Sequence, residues 1–500
     1  MFEGKDVLVI LAQAGSGKTR RLIEEVSKEL EVRRPEEVSF VTFTRKGAEE
    51  GLHRVCSKLR YEPSDLPYFR TLHSLTFHAL NLKADQMFGR IDQREFNSKY
   101  GYNVNRCEVS DSNAMPTKDS MYLEYYDLER SDALQSFQIA EADIEVGYYN
   151  QIVRDYEEYK AEHNKVDYFD CLVKYIKYGE PLPISVGFID ECQDLTLLQW
   201  KVVEKAFSRA KRIIAVGDEN QAIFTYSGGR PDYLIELSKK HKTENLSVSY
   251  RIPRAVFDLA HAVIDFVGSK TDKPFEFREG NPEGSVTSID CIERAVNMVR
   301  EEDYAANRNT TEWYFLSRNN CYLNEPMSLL EERLIPYWNA DGFFMGGNIM
   351  KRLRDYERFK LKGYKSEEKK EAFMRKFGIT DFSVPFTDTN LFTEGRKWVY
   401  ASYVEKYGLD TLEDMCKWNP QILVSTIHHV KGGEARNVAV MLDVTRRTTG
   451  NMYKDIDEEL RVLYVAITRA KENLFLADSR DGNGYDSIIQ TLKEEYGLNF

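Results

Sequence analysis

The sequence predicts an α/β protein built on parallel sheets with helices on their faces, and three observations support this. The apolar run Val7–Leu11 is typical of a buried strand, and a helical pattern follows it after a glycine-rich turn. Strand-then-turn units return at Val186–Asp194 and Arg212–Gln221. Another appears at Glu37–Lys46, where a strand pattern is followed by a helical stretch from Gly47 to about Leu59. Strands that alternate with helical stretches are joined by crossovers, and crossovers give parallel pairing.

The glycine-rich turn is the most informative motif. It runs from Ala12 to Arg20 and leads from the first strand into a helix. Backbone N–H groups of such a turn surround phosphate oxygens, and the helix dipole favours the same negative charge. In this P-loop pattern Lys18 would reach the β- and γ-phosphates, and the Thr19 hydroxyl would bind Mg²⁺. Ala12 stands where the general pattern has its first glycine.

Acidic and amide residues follow two later strands. Asp190 can hold Mg²⁺ through water, and Glu191 can orient or deprotonate the attacking water. Gln221 lies in the polar loop after the next strand. A side-chain amide both donates and accepts hydrogen bonds, so Gln221 is a candidate contact for the γ-phosphate. Together with the P-loop, these residues predict nucleotide hydrolysis.

Composition limits the partners that the protein can have. A chain of 500 residues is too long for one hydrophobic core and indicates about three or four modules. No apolar run approaches about 20 residues, so we expect no membrane-spanning helix and no membrane partner. The net charge of −12 disfavours indiscriminate polyanion binding, but it is compatible with a local basic groove. The scattered cysteines predict reduced thiols and no metal cluster.

The motifs together resemble those of superfamily 1A helicases of the UvrD/Rep/PcrA type. Val424–Glu434 resembles the family block Thr-x-His-x-x-Lys-Gly-x-Glu, and Leu463–Lys471 resembles the final block. Each block is moderately specific, and their shared order and spacing are highly specific. The other matching blocks are Ala12–Arg20, Val41–Glu50, Thr71–Leu75, Val166–Asp170, Asp190–Asp194, Gly217–Tyr226, Tyr250-Arg251 and Trp313–Asn320.

The resemblance implies two RecA-like P-loop cores with helical insertion subdomains. A second insertion of the family is short here and rich in basic residues around Lys351-Arg352-Leu353-Arg354 and Lys360-Leu361-Lys362. This segment is either a contact for duplex DNA or a solvated helical face. The expected parts are residues 1–83 and 168–270 for the first core, 84–167 for its helical insertion, 271–347 and 421–500 for the second core, and 348–420 for the small basic insertion.

The resemblance also assigns residues to ATP. Arg251 and Arg469 would contact the γ-phosphate, because a guanidinium stabilises charge spread over phosphate oxygens. Tyr250 would stack on adenine, Arg20 would lie near the base, and Glu434 would face the ribose. The expected catalytic residues are Lys18, Glu191, Gln221, Arg251 and Arg469. The expected ATP-binding residues are Ala14, Gly15, Ser16, Gly17, Lys18, Thr19, Arg20, Tyr250 and Glu434, with Thr19 and Asp190 for Mg²⁺.

A second set of residues matches the family's DNA track. Aromatic side chains stack on any base, so binding without sequence preference is expected. Tyr226 stands where the family has Trp, and Ser227 where it has Arg. Stacking should therefore remain while one phosphate or base contact is lost. The expected DNA-binding residues are Phe43, Thr44, His73, Phe224, Tyr226 and His428.

These assignments predict an ATP-dependent DNA helicase that moves 3′ to 5′ on single-stranded DNA. Type 1A members have this polarity, and the Pro-rich loop typical of type 1B is missing after Gly217-Asp218. ATP and Mg²⁺ are the expected cofactors. Single-stranded DNA, its junctions with duplex and accessory replication or repair proteins are the expected partners. We expect a monomer in the cytoplasm, at the nucleoid or, for a phage-encoded protein, in the host cytoplasm, because no secretory signal begins the chain.

Three alternatives stay open. The motor could strip proteins from single strands without unwinding duplex. It could be the motor subunit of a larger recombination or repair complex. It could also be a non-hydrolysing scaffold, which the intact set of catalytic residues disfavours.

Overall fold

The computed structural model describes residues 2–106, 117–131, 144–306, 310–361, 366–453, 455–482 and 484–500. Parts of the predicted first insertion, residues 107–116 and 132–143, and Lys362 of the basic segment lie outside these residues. The chain divides into two compact units. The first comprises Met1–Gly284, Arg447–Thr468 and Glu495–Leu498, and the second Ser285–Arg446, Arg469–Glu494 and Asn499–Phe500. Each contains a mainly parallel sheet with helices on its faces, which confirms the predicted α/β class.

The sheet of the first unit is parallel throughout its described strands. Its spatial order is β3-β2-β4-β5-β1-β6. Central strands of such a sheet are covered on both faces, which explains why β1 is a continuous apolar run. The strands are β1 Asp6–Ala12, β2 Val38–Thr42, β3 Phe69–Thr71, β4 Val186–Asp190, β5 Arg212–Gly217 and β6 Lys242–Leu246.

The strand order places the candidate catalytic loops together. Strands β4, β5 and β1 are neighbours, with Ile189 opposite Ala215 and Leu11 opposite Gly217. Their carboxyl ends therefore meet at one edge of the sheet. Ligands of open α/β sheets bind outside this edge. The P-loop, Glu191 and the loop from Asp218 to Gln221 all emerge there.

Helices cover both faces of this sheet. Val9 and Ile213 pack on one face, and Ile10 and Ile214 on the other, as strand alternation requires. The helices are α1 Lys18–Val32, α2 Arg45–Leu59, α3 Leu72–Ala79, α4 Arg90–Tyr100, α5 Lys118–Arg130, α6 Val146–Glu162, α7 Tyr168–Tyr178, α8 Leu197–Ala206, α9 Pro231–Lys240 and α10 Arg254–Asp265. A separate pair of short parallel strands joins β7 Val248–Ser249 to β8 Glu276–Phe277.

Helices α4 to α6 form their own aromatic core. Phe96, Tyr122, Tyr149 and Tyr156 are buried there. The tyrosines in this core therefore pack helices together and are not exposed for stacking on bases.

The second unit has a mixed sheet in the order β12-β11-β13-β10-β14-β15-β9. Only the β11–β12 pair of the described strands is antiparallel. The strands are β9 Ser285–Ile289, β10 Trp313–Ser317, β11 Trp338–Asn339, β12 Gly342–Phe343, β13 Ile422–Thr426, β14 Ala435–Met441 and β15 Ala470–Ala477. The helices before β13 are α11 Ile292–Met298, α12 Asn324–Glu332, α13 Gly347–Lys360, α14 Glu367–Phe377, α15 Glu394–Tyr407 and α16 Leu409–Met415.

Three helices lie after β14. They are α17 Arg446–Met452, α18 Ile456–Ile467 and α19 Asp486–Tyr496. Helix α18 belongs to the first unit, although the strands before and after it belong to the second. Among the described residues, no helix combines the length and apolar character needed to cross a membrane.

Candidate ATP site and nucleic-acid surface

The P-loop adopts backbone angles that favour glycine. Gly15 has φ +74° and Gly17, which precedes α1, has φ +82°. A Cβ atom on Gly15 would lie 2.6 Å from the Ser249 Oγ atom and 3.1 Å from the Arg251 Cβ atom. The Tyr250 N–H group donates to the Gly15 carbonyl at 2.9 Å. The missing side chain thus lets the segment with Tyr250 and Arg251 lie directly against the phosphate loop.

Lys18 forms an ion pair with Glu191 across the carboxyl edge of the sheet. The exposed fractions of the two side chains are 14% and 21%, so both are largely removed from water. Burial alone would lower the pKa of Lys18. The neighbouring carboxylates of Glu191 and Asp190 outweigh burial and raise the pKa of Lys18 above its ordinary value. The ammonium therefore stays charged, as phosphate binding requires.

Glu191 occupies the left-handed backbone region, with φ 52°. For a residue with a Cβ atom this conformation costs about 1–2 kcal/mol. The side chain is held by Lys18 and by the Gln193 Nε2 group, which donates to the Glu191 Oε2 atom at 2.6 Å. Backbone strain of this kind is concentrated at functional sites.

Asp190 fits the role of an Mg²⁺ ligand. Burial and the like charge of Glu191, opposed by Lys18, raise the pKa of Asp190 to about 7. Its Oδ1 atom accepts the Glu191 N–H group at 3.0 Å. A divalent cation would compensate this buried carboxylate, and the hydroxyl of half-buried Thr19 would add a second oxygen ligand. The residues present therefore fit Mg²⁺.

A chain of hydrogen bonds connects Glu191 to Gln221. Gln193 donates to Glu191, and its Oε1 atom accepts the Asp218 N–H group at 3.1 Å. The Gln221 Nε2 group donates to the Asp218 Oδ2 atom at 2.6 Å. The structure thus joins three predicted catalytic residues, Lys18, Glu191 and Gln221, in one polar network. Sequence reasoning did not assign Gln193 and Asp218, although both are polar residues inside recognised blocks directly after strands.

Helix α18 contributes further contacts to the P-loop. The Tyr464 hydroxyl accepts the Ala14 N–H group at 3.2 Å and donates to the Gln13 Oε1 atom at 3.4 Å. The Asn220 Nδ2 group reaches the same Gln13 oxygen at 3.4 Å. Gln13 and Tyr464 were not predicted as site residues. The only sequence signal was a long polar side chain inside a glycine-rich turn.

Arg251 contacts the end of helix α18. Its Nη2 group donates to the Thr468 carbonyl at 3.1 Å. Thr468 directly precedes Arg469, so one candidate phosphate arginine is bonded to the residue before the other.

The two residues predicted for the nucleotide base are both exposed. The Arg20 side chain, 85% exposed, donates to Glu24 at 3.1 Å. Tyr250 is 59% exposed, and the Arg278 guanidinium lies 5.1 Å from its ring centroid. The Tyr250 ring is therefore exposed beside the P-loop, where a base could stack on it. The contacts of the described residues do not include one between Tyr250 and Arg20.

In the second unit the structure brings Glu434 and Arg469 close together, just before β14 and β15. The Arg469 Nη1 group donates to the Gly433 carbonyl at 3.0 Å, and the Arg469 carbonyl accepts the Ala435 N–H group at 3.1 Å. Glu434 pairs with Lys471 at 3.1 Å. Arg469 is buried.

Three predicted DNA contacts form a row of aromatic rings in the first unit. The Phe43 and Phe224 centroids are 5.2 Å apart, and those of Phe224 and Tyr226 are 6.3 Å apart. Tyr226 is 56% exposed and ends the row. Thr44, next to Phe43, has a local role, because its Oγ1 atom accepts the Gly47 N–H group at 3.1 Å and caps α2.

His73 lies beside a tyrosine that the sequence did not single out. The His73 and Tyr168 rings meet edge to face at 5.8 Å, and the Arg45 Nη2 group lies 3.4 Å from the Tyr168 hydroxyl. Burial and the charge of Arg45 lower the pKa of His73 to about 4, so this imidazole is neutral at neutral pH. Tyr168 is 53% exposed, which makes it a further stacking candidate. His428 is half-buried in the second unit, after β13.

Two family models match the chain. The UvrD/REP helicase N-terminal domain matches residues 2–242, and the UvrD-like helicase C-terminal domain matches residues 349–481. Together they cover about three quarters of the sequence. The first match contains the polar network of the first unit, and the second contains Glu434 and Arg469.

Individual relatives are similar at low identity. The protein YjcD of Bacillus subtilis is 23% identical over 95% of this chain and 77% of its own length. DNA helicase II of Haemophilus influenzae is 24% identical over 57% of this chain and 42% of its own length. The ATP-dependent DNA helicase PcrA of Bacillus subtilis is 24% identical over 55% and 40%, respectively. The chain therefore matches about two fifths of the length of the latter two.

Proposed function

This chain belongs to the UvrD-like helicase family and is an ATP-dependent DNA helicase, and we propose that it moves 3′ to 5′ along single-stranded DNA. The polar network of the first unit supports the ATP-hydrolysing part of the proposal, while the proposed direction follows from the resemblance to type 1A helicases. Lys18, Glu191 and Gln221 are parts of one hydrogen-bonded chain at the carboxyl edge of the sheet. That arrangement suits the binding and hydrolysis of a nucleoside triphosphate.

Hydrolysis would begin with an exchange of partners at Lys18. The phosphates of ATP compete with Glu191 for the ammonium, because both are anions at the same edge of the sheet. Glu191, released from the ion pair, orients the attacking water and accepts its proton. Gln221 contacts the γ-phosphate through its amide. Mg²⁺, held by Thr19 and Asp190, would offset the charge on the phosphate oxygens.

Two arginines would complete the site. Arg251 lies against Gly15 and bonds to the Thr468 carbonyl, so it is close to the P-loop. We propose that Arg469 supplies a second guanidinium from the second core when ATP is bound. Loss of the γ-phosphate removes the shared anion, so hydrolysis would release the cores from each other and advance the DNA.

The aromatic row is the proposed track for single-stranded DNA. Tyr226 presents an exposed ring, and Phe224 and Phe43 continue behind it. Stacking on such rings does not depend on base identity. Thr44, His73 and His428 are proposed as further contacts. Tyr168, whose ring contacts His73, is proposed as an additional stacking residue.

The small basic insertion is the proposed contact for a junction with duplex DNA. Lys351 and Arg358 are exposed and seven residues apart on α13, so they lie on one face of the helix. Lys369 and Lys376 repeat this spacing on α14. The phosphates of duplex DNA would bind to such a basic face.

We propose that the six segments predicted from the sequence are the functional parts of the chain. They are residues 1–83, 84–167, 168–270, 271–347, 348–420 and 421–500. We also propose that the protein acts as a monomer.

The direction of movement can be tested by displacement of streptavidin from biotinylated single strands. A motor that moves 3′ to 5′ arrives at the 5′ end. ATP should therefore accelerate displacement from a 5′-biotin and not from a 3′-biotin. The Lys18→Ala variant is the control and should displace from neither end. Displacement from the 3′-biotin alone would overturn the proposed polarity.

A strand-separation assay run beside the streptavidin assay distinguishes the proposal from the protein-stripping alternative. The short second insertion favours testing this alternative, because little of the chain is left to hold a duplex. A protein that displaces streptavidin but never separates strands would be a translocase. A protein that does both is the proposed helicase.

A further inference from the structure

Lys273 is a buried lysine that the ATP site described so far does not use. Its Nζ group donates to the Ala12 carbonyl at 2.8 Å, the Asp218 Oδ1 atom at 2.7 Å and the Glu219 Oε2 atom at 2.7 Å. The Lys273 side chain is 2% exposed, and the two carboxylates are 0% exposed. The ammonium therefore donates all three of its hydrogen bonds, one to the last residue of β1 and two to the loop after β5.

The two carboxylates depend on this lysine. Asp218 and Glu219 are consecutive, fully buried and of like charge, and the described ion pairs of both are with Lys273. Their attraction outweighs burial and raises the pKa of Lys273, and it lowers the pKa of Glu219 against burial. Removing one partner of such a group leaves uncompensated buried charge. The position of the Asp218 carboxylate is therefore set largely by Lys273.

Asp218 in turn holds Gln221. Its Oδ1 atom receives Lys273 and the Asn220 N–H group, the latter at 3.1 Å, while its Oδ2 atom receives the Gln221 amide at 2.6 Å. The carboxylate plane is thus fixed on one side by the lysine and on the other by the proposed γ-phosphate contact. A change at Lys273 would be transmitted to the Gln221 amide through two short hydrogen bonds.

The chain segment that carries Lys273 is itself attached to helix α18. Asp457 accepts the Gly268 and Ser269 N–H groups at 2.9 and 2.8 Å, and the Arg461 Nη2 group donates to the Ser269 carbonyl at 2.6 Å. Thr271 donates its N–H group to the Glu219 Oε1 atom at 3.1 Å. The segment 268–273 therefore joins α18, which leads to Arg469, to the loop that contains Gln221.

We propose that Lys273 is a positioning residue that fixes Asp218, and through it Gln221, and so ties the γ-phosphate contact to segment 268–273. The inference rests on the proposed role of Gln221. It predicts that Lys273 contributes to the rate of hydrolysis and little to ATP affinity, because the lysine touches neither phosphate nor water. Through the same hydrogen bonds, segment 268–273 would respond when the contact between Gln221 and the γ-phosphate forms or breaks.

The test is steady-state ATP hydrolysis by the full chain, with saturating single-stranded DNA, for Lys273→Met. We expect kcat to fall about tenfold to a hundredfold, as for other supporting partners of a reactive group, while the KM for ATP changes less than about threefold. Lys160→Met is the matched control. Lys160 is 3% exposed and paired with Asp167 and Asp170, at the start of α7, at 2.9 and 2.7 Å. Its kcat should stay within about threefold of the unaltered chain.

A double-variant cycle with Gln221→Ala separates positioning from general damage. If Lys273 acts through Gln221, adding Lys273→Met to Gln221→Ala should lower kcat no further. Multiplication of the two separate losses would overturn the proposal, as would a folded Lys273→Met with unchanged kcat. If Lys273→Met does not fold, Asp218→Asn keeps the lysine, weakens its ion pair with the residue that holds Gln221, and should show a milder fall in kcat at similar KM. Unchanged kcat there would also overturn it.

Gln221→Ala alone distinguishes the failure of this inference from failure of the proposed function. Full hydrolysis by Gln221→Ala would remove the proposed γ-phosphate contact, and the role of Lys273 with it. Loss of hydrolysis by Gln221→Ala together with full activity of Lys273→Met would overturn only the positioning role.

Discussion

Two buried lysines in the first unit both form ion pairs with carboxylates, but they differ in how far away in the sequence their partners lie. Lys160 contacts Asp167 and Asp170, which lie within ten residues of it in the sequence. Lys273 contacts Asp218 and Glu219, more than fifty residues away, and the Ala12 carbonyl, 261 residues away. Lys160 stabilises the junction between the consecutive helices α6 and α7. Lys273 connects segments that are remote in sequence at the catalytic edge of the sheet.

The two clusters also differ in charge balance. Asp167 and Asp170 have a second cation, because Arg130 pairs with them at 2.8 and 3.1 Å. Burial alone would raise the pKa of Asp167, but the charges of Arg130 and Lys160 outweigh burial and lower it. For Asp218 and Glu219 the described ion pairs are all with Lys273. A local cluster with two cations should therefore tolerate substitution better than the long-range contact with one.

The largest expected effect comes from Lys18→Ala. Loss of the ammonium removes the proposed contact to the β- and γ-phosphates and leaves Glu191 without its cation. We expect DNA-stimulated phosphate release to fall by about a thousandfold or more. Lys160→Ala, which removes a buried ammonium from the other cluster, is the control. Hydrolysis by Lys18→Ala at the rate of the unaltered chain would place the active site elsewhere.

The comparison of the two lysines is tested by unfolding in denaturant. Breaking a buried ion pair by removing one partner costs about 3–5 kcal/mol, and we expect this for Lys273→Met. For Lys160→Met we expect a smaller loss, about 2 kcal/mol, because Arg130 still compensates Asp167 and Asp170. Equal losses of unfolding free energy, or a larger loss for Lys160→Met, would show that Arg130 does not compensate Asp167 and Asp170 when Lys160 is removed.

The exposed end of the aromatic row should matter for DNA affinity. Stacking of one base on an aromatic ring contributes about 1–3 kcal/mol, so Tyr226→Ala should weaken binding of single-stranded DNA by roughly tenfold. Tyr226→Trp should bind at least as well as the unaltered chain. Tyr453→Ala, at a tyrosine 88% exposed, is the matched control. Fluorescence anisotropy with a labelled oligonucleotide measures both, and equal affinities of Tyr226→Ala and Tyr453→Ala would exclude stacking at Tyr226.

The Tyr464 hydroxyl should have a smaller effect. Tyr464→Phe removes its bonds to Ala14 and Gln13 but keeps the ring, a change that typically costs about 1 kcal/mol. We expect the KM for ATP to rise about fivefold, which is that cost expressed as an affinity. Tyr403→Phe is the control, because the hydroxyl of this buried tyrosine donates to the Ile335 carbonyl in the second unit. An unchanged KM for Tyr464→Phe would mean that the P-loop does not need this contact.

The last expected effect, a pH dependence from His73, is confined to acidic pH. Its pKa in the folded chain is about 4, below the ordinary value of 6.5, so the folded state disfavours the proton. The stability from neutral His73 is present above pH 6.5 and is lost as the pH falls toward 4. The free energy of unfolding of the unaltered chain minus that of His73→Gln should fall by about 2 kcal/mol between pH 7 and pH 5. A difference that stays constant, or grows at pH 5, would contradict this.

Local patterns were sufficient for the fold class and for the loops that follow strands. The continuous apolar run of β1, the glycines of the P-loop and Asp190-Glu191 after β4 identify the catalytic edge, because each is a short-range signal. The family membership was also evident from the order of the blocks. The roles of the individual site residues and the direction of movement stay predictions.

Long-range contacts were not predictable from the sequence. Lys273 lies in a polar stretch with no motif, and its burial depends on three segments that only the folded sheet brings together. Gln13 and Tyr464 meet across 451 residues. Tyr168 lay inside a recognised block, but its exposure beside His73 depends on how α7 packs against α3. Backbone strain at Glu191 likewise has no sequence signal, because Glu rarely adopts a positive φ.

Strand displacement on matched duplexes with a 3′ tail, a 5′ tail or no tail tests the central claim most directly. An ATP-dependent helicase that moves 3′ to 5′ along single-stranded DNA loads on the 3′ tail and runs toward the duplex. We predict ATP-dependent unwinding of the 3′-tailed duplex alone, and none by Lys18→Ala. Preferential unwinding from the 5′ tail would contradict the direction of movement. Equal unwinding without a tail would contradict the single-strand track.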